Sequence, residues 1–208
     1  MGSSEMTLGH GHAGAEESPY GVQSKKLAIW LFILADAATF GAVLFAYGYL
    51  RVGSPNWTRP FAFWPSIANG ILMTAVLLTS SLTMIVAVRA AAAGRTAAGV
   101  RWLGITALLG TVFAALHLRE WFSMFGEGWR PSQNPLGGSP LFGASFFGIT
   151  GLHLLHVLSG VAVITVVTIA YRRGRLNAGH VETTGLYWHF VDLVWMFVFP
   201  LMYLMNAR

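Results

Sequence analysis

The 208-residue chain has no cysteine, and only 10% of its residues are charged. The first absence excludes disulfides, thiolate nucleophiles, iron-sulfur clusters and cysteine-ligated zinc or copper. The second leaves too few ionisable side chains to clothe a soluble domain of this size. Residues 1–24 contain no apolar stretch of the kind a secretory signal peptide needs. The basic excess is modest, 13 Lys and Arg against 8 Asp and Glu for a net charge of +5, and these residues stand singly or in short groups beside apolar runs. There they act as topology anchors, so no nucleic-acid partner is expected. No internal repeat is convincing, and the discontinuous helices or inverted repeats of a transporter are not evident.

What is abundant is hydrocarbon. Hydrophobic residues make up 55% of the chain and the mean hydropathy is +0.59. They gather in runs of about 20 or more residues, enough to cross roughly 30 Å of bilayer at 1.5 Å per residue. Backbone polar groups in lipid must be satisfied within the segment, so each run is a helix. The expected fold is all-α: an integral membrane bundle of five transmembrane helices. Residues 1–24 read as a flexible polar cytoplasmic tail and 25–208 as the membrane domain. The spans fall at roughly 27–50, 66–89, 101–124, 141–171 and 184–206. The fourth run exceeds what a bilayer requires and is expected to tilt or project. His10 and His12 in the tail read as solvated bystanders rather than metal ligands.

Orientation follows from the basic residues flanking the short loops. Lys25, Lys26, Arg89, Arg95, Arg101, Arg172, Arg173 and Arg175 fall on one side, and Arg51, Arg59, Arg119, Arg130 and Arg208 on the other. The first side is therefore expected to be cytoplasmic, with the amino terminus inside and the carboxyl terminus periplasmic. Trp57, Trp64, Trp129 and Tyr203 are expected at the outer interface.

Ionisable residues within a span are expensive and mark either function or a structural network. Asp36 lies 11 residues beyond Lys25, roughly 16 Å deep. It reads as a protonated acid bonded to a neighbouring helix or as a proton-handling group, and both readings stand open. His153 and His156 share a helical face, and His189 and Asp192 repeat the spacing in the last span. With Asp36 and Glu120 these residues invite a carboxylate-bridged metal site, yet the paired Glu-x-x-His motifs of such bundles are missing, and interhelical hydrogen bonds explain them more economically. Glu120 is expected to turn inward while adjacent Arg119 reaches the headgroups. Small residues at Ala35, Ala37, Ala38 and Gly41, and at Gly148, Gly151, Ser159 and Gly160, suggest close helix approach. Trp188, Phe190, Trp195 and Phe197 read as packing aromatics rather than a cofactor box.

The last span carries Tyr187-Trp188-His189-Phe190-Val191-Asp192-Leu193-Val194-Trp195, which resembles the YWHFVDxVW signature of heme-copper oxidase subunit III. Thr150-Gly151-Leu152-His153-Leu154-Leu155-His156-Val157 is similar to the family's TGxHGLHV, with Leu154 where glycine is usual. Leu78-Thr79-Ser80-Ser81 resembles part of its second-span stretch, the segment Leu31 to Gly41 aligns with one whose acid is typically glutamate rather than Asp36, and Glu120 falls on a family glutamate. Leu186 replaces a frequent tryptophan. The resemblance covers nearly all of 25–206, and its five spans match the short bacterial form, which lacks two amino-terminal helices.

This resemblance implies a multi-pass subunit in the bacterial inner membrane, within a complex that reduces dioxygen to water and moves protons outward. It implies no cofactor, catalytic residue or metal ligand in this chain: hemes and copper belong to partner subunits. Its partners would be subunit I directly, subunit II, small subunits and bound phospholipids. Its role would be to brace subunit I, retain lipids and support proton uptake. Asp36, Glu120, His153, His156, His189 and Asp192 would form its intramembrane polar network. The electron donor is expected to be cytochrome c, with quinol as the alternative. An accessory protein of nitric oxide reductase shares the signatures, and a stand-alone membrane metalloenzyme using His153, His156, His189 and Asp192 is the competing class.

Overall fold

The computed structural model describes residues 24–137 and 139–208; His10 and His12 lie outside the described residues. Five long helices run as α1 (Ser24–Val52), α2 (Ala68–Ala92), α3 (Thr96–Gly126), α4 (Leu141–Arg172) and α5 (Ala178–Met202). A short helical turn, Phe63–Ile67, leads into α2, and a 3-10 turn, Leu204–Asn206, follows α5. Each span is long and apolar enough to cross a membrane. Reversals between helices are tight where glycine permits them. Gly94 (φ +70°) closes the three-residue link between α2 and α3, and Gly174 (φ +68°) ends α4.

Helix α5 lies at the centre, packed against α1, α2 and α4, while α2 with α3 and α3 with α4 form the most extensive pairs. The most apolar stretch of α5 is 56% buried and that of α1 only 11%. The first helix is thus a peripheral element, held on by a few specific contacts rather than by enclosure.

Three expectations change, and the loop aromatics take on a packing role. Helices α3 and α5 begin five and six residues earlier than the apolar windows indicate, because their polar first turns are helical too. The excess length of α4 is not peculiar to it, since the spans run from 27 to 32 residues. Of Trp57, Trp64, Trp129 and Tyr203, only Trp64 is well exposed, at 77%; Trp129 and Tyr203 are buried and Trp57 is half-buried. Trp57, Trp129, Phe61, Phe146 and Tyr203 pack with Phe142 into an aromatic plug under the loops. Finally, a Cβ at Gly41 or Gly148 would meet open space, so these are not packing contacts. Close approaches do occur at Gly160, where a Cβ would lie 2.9 Å from Trp188, and at Gly110, where it would lie 2.5 Å from the same ring.

Candidate functional site: the intramembrane polar core

Helix α5 distributes the polar atoms of its signature over two neighbouring helices. The Tyr187 hydroxyl lies 2.9 Å from Ser159 Oγ on α4. On α2, Trp188 Nε1 donates to Ser80 Oγ at 3.0 Å, and His189 Nδ1 lies 2.6 Å from Ser81 Oγ. Trp195 Nε1 donates to Thr74 Oγ1 at 3.0 Å. Asp192 is buried, and Ser81 is its hydrogen-bonding neighbour as well as that of His189. Trp188 and Trp195 are almost wholly enclosed, whereas Phe197 is 57% exposed and faces outward. Interhelical hydrogen bonds in lipid hold helices together where hydrophobic drive is small. The signature is therefore a set of fasteners.

Asp36 on α1 meets His156 on α4: Oδ2 and Nε2 are 3.3 Å apart, with about a fifth of each side chain accessible. His156 Nδ1 donates to the Leu152 carbonyl at 2.8 Å. A carbonyl only accepts, so Nδ1 carries a proton and Nε2 is the atom turned to the acid. Whether the pair is acid with imidazole or carboxylate with imidazolium, it is neutral overall, which lowers the cost of holding it within an apolar span.

Glu120 is buried and accepts from Asn69 Nδ2 of α2 at 2.8 Å, while Arg119 is exposed, as their adjacency on a helix requires. His153 is fully buried and stacked on Trp195, with ring centroids 5.2 Å apart. The six sequence-identified residues thus separate into four local clusters and do not converge on one centre. His153 and His156 share a helix but face different neighbours, α5 and α1. Among the described residues no three histidine or acidic side chains come together as a metal ion would require.

Two polar residues escaped the sequence reading. His117, fully buried on α3, stands three positions before Glu120, and that spacing on one helical face was the available signal. Asn206, also fully buried, accepts from Trp57 Nε1 at 2.8 Å and donates to Tyr47 Oη at 2.8 Å and to the Met202 carbonyl at 2.9 Å. Its neighbours supplied no comparable signal. Together with the Arg51 bond to the Met205 carbonyl, at 2.6 Å, this knot ties α1 and the first long loop to the end of the chain.

The fold and core define a multi-pass membrane bundle whose buried polar groups mainly join helices. A family model described as cytochrome c oxidase subunit III matches residues 12–207. Subunit 3 of the cytochrome bo(3) ubiquinol oxidase of Pseudomonas aeruginosa is 32% identical over 96% of this chain and 92% of its own length. Cytochrome c oxidase subunit 3 of Alkalihalophilus pseudofirmus is 31% identical over 89% of this chain and 88% of its own. A probable quinol oxidase subunit 3 of Staphylococcus aureus is 32% identical over 87% and 89%. The chain belongs to the cytochrome c oxidase subunit III family. It is a multi-pass subunit of a respiratory heme-copper oxidase of the bacterial cytoplasmic membrane, which agrees with the resemblance drawn from the signatures.

Proposed function

We propose that the chain is the non-redox subunit of its oxidase, bracing subunit I, retaining phospholipids and supporting proton uptake near Asp36. The observation that carries this reading is the use made of the α5 signature: Tyr187, Trp188, His189 and Trp195 each engage a hydroxyl on another helix and leave no convergent donor set for chemistry. Lipid retention is supported by a largely apolar groove of about 420 Å³ between α1, α4 and α5, lined by Ile29, Phe32, Val163 and Tyr187 among others. Within this reading Asp36 and His156 latch α1 to α4, Glu120 latches α3 to α2, and His189 and Asp192 latch α5 to α2, while His153 packs in the centre.

The amino terminus is proposed to be cytoplasmic. The absence of cysteine makes this directly testable, because a single cysteine placed at Arg95 or at Ser132 would be the only thiol. A membrane-impermeant thiol reagent added to intact cells, with the outer membrane opened where there is one, should label position 132 and spare position 95.

Cytochrome c is the proposed electron donor, supported by the A. pseudofirmus relative. Quinol is the second reading, favoured by the P. aeruginosa relative, which matches over the larger share of this chain. Purifying the oxidase and assaying its subunit II for copper tests the choice: copper accords with cytochrome c, its absence with quinol. Heme and metal analysis of the separated chain tests the non-redox role, which predicts no stoichiometric heme, copper or iron.

A further inference from the structure

Apart from Asp36 Oδ2, which faces His156 Nε2 at 3.3 Å, most buried polar atoms lacking a hydrogen-bond partner among the described residues lie on His117, His153, Asp192 and Tyr203. His117 and His153 contribute both ring nitrogens, Asp192 contributes Oδ1 and Tyr203 its hydroxyl. Three of these side chains, His117, His153 and Tyr203, gather about Trp195, whereas Asp192 has Ser81 as its neighbour. His153 stacks on the Trp195 ring at 5.2 Å, His117 meets it at 5.8 Å and Tyr203 at 6.1 Å, while Asp192 precedes it by three positions on the same helix. The indole itself is satisfied elsewhere, through Thr74.

The aromatic surroundings meet only half of what the histidines require. A neutral imidazole carries one N–H and one bare nitrogen. The N–H can point at a ring face, and Phe113 offers one at 5.7 Å from His117 and 5.8 Å from His153. The bare nitrogen needs a donor, which no π face supplies. Protonating the ring would remove that need but would place a full charge at two positions with 0% exposure. A metal would lack a third histidine or acidic ligand among the described residues. An organic ligand would need an opening that residues so enclosed do not provide.

We propose that the interior around Trp195 holds a small cluster of ordered water that donates to His117 on α3 and to His153 on α4 and extends toward the Tyr203 hydroxyl of the segment after α5. Water is the one small donor-acceptor able to satisfy nitrogens on separate helices, and buried sites of this kind are common, roughly one per 27 residues in globular proteins. The cluster joins three elements at a point where no direct side-chain bond does, and it places His117 and His153 as positioning residues of the bundle.

The test uses the intact oxidase. In a cryo-EM map that resolves waters at other buried membrane sites, solvent density is expected roughly 2.7–3.2 Å from a ring nitrogen of both His117 and His153. A map of that quality without such density, or with a heavier atom there, overturns the proposal. A second measurement covers sharing of the water. His117→Phe, His153→Phe and the double variant should lower the unfolding midpoint of the subunit in the complex by similar amounts, because either change evicts the bridge. Losses that add would show that no common water exists. His117→Gln, which restores a donor and an acceptor, should recover most of the loss; no better recovery than with phenylalanine counts against the proposal.

Discussion

Asp36 and His156 join α1 to α4 at 3.3 Å, and this pair sits on the least enclosed helix of the bundle. Few contacts hold α1, so individual ones matter. Asp36→Asn keeps a donor and an acceptor for His156 and should assemble normally. Asp36→Ala leaves His156 Nε2 without its partner and should weaken α1 docking by about 1–3 kcal/mol. Limited proteolysis of the purified complex reads this, with α1 released in the alanine variant alone. If Asp36 handles protons, the Asn variant should start at near-normal oxygen reduction and decline faster during turnover, most visibly at alkaline pH. An unchanged time course would leave Asp36 a purely structural role.

An apolar carbodiimide should modify Asp36 from the lipid side, since about a fifth of its side chain is accessible on the least enclosed helix. Mass spectrometry of the labelled chain should place the adduct on Asp36 and not on buried Glu120 or Asp192. Labelling of Glu120 in preference would contradict the burial pattern.

Gly160 and Gly148 lie on one helix and separate packing from mere smallness. Gly160→Ala drives a methyl to 2.9 Å from Trp188 and should destabilise the bundle by roughly 1–3 kcal/mol, whereas Gly148→Ala meets nothing within 4 Å and should be neutral or slightly stabilising. Thermal unfolding in mild detergent distinguishes them; equal midpoints would refute the contact.

The ion pair between Lys26 and Glu182, at 2.9 Å, links α1 to α5 at their amino-terminal ends, yet both side chains are more than a third exposed. Screening leaves such a pair about 0–1 kcal/mol at most. Lys26→Ala should therefore leave assembly unchanged at physiological salt, while Asn206→Ala, which leaves Trp57 Nε1 without its partner and unties the loop from the end of α5, should not. Comparable co-purification yields for the two variants would reverse this ranking.

Hydropathy located all five helices because lipid leaves the backbone no other choice, and it placed the bounds of α4 within one residue. It was blind to the polar first turn of α5, where Gly179, His180, Glu182 and Thr183 are helical outside the apolar window. Among the site residues, Asp36, Glu120 and the signature histidines stood out as ionisable groups within apolar runs, but their partners did not. Nothing in a linear sequence pairs Ser81 with His189 or Asp36 with His156, since those contacts arise from the order in which helices pack around α5. His117 was legible three residues before Glu120, whereas Asn206 lies beyond the last helix and is recruited only once α1 and the first loop fold back onto it.

The central claim, that this subunit braces an oxidase whose chemistry lies elsewhere, is tested most directly by deleting it and measuring heme, copper and sustained oxygen reduction in the remaining complex. The expected result is unchanged heme and copper per subunit I, near-normal initial turnover and a faster loss of activity thereafter. Heme or copper lost in proportion to the missing chain would contradict it.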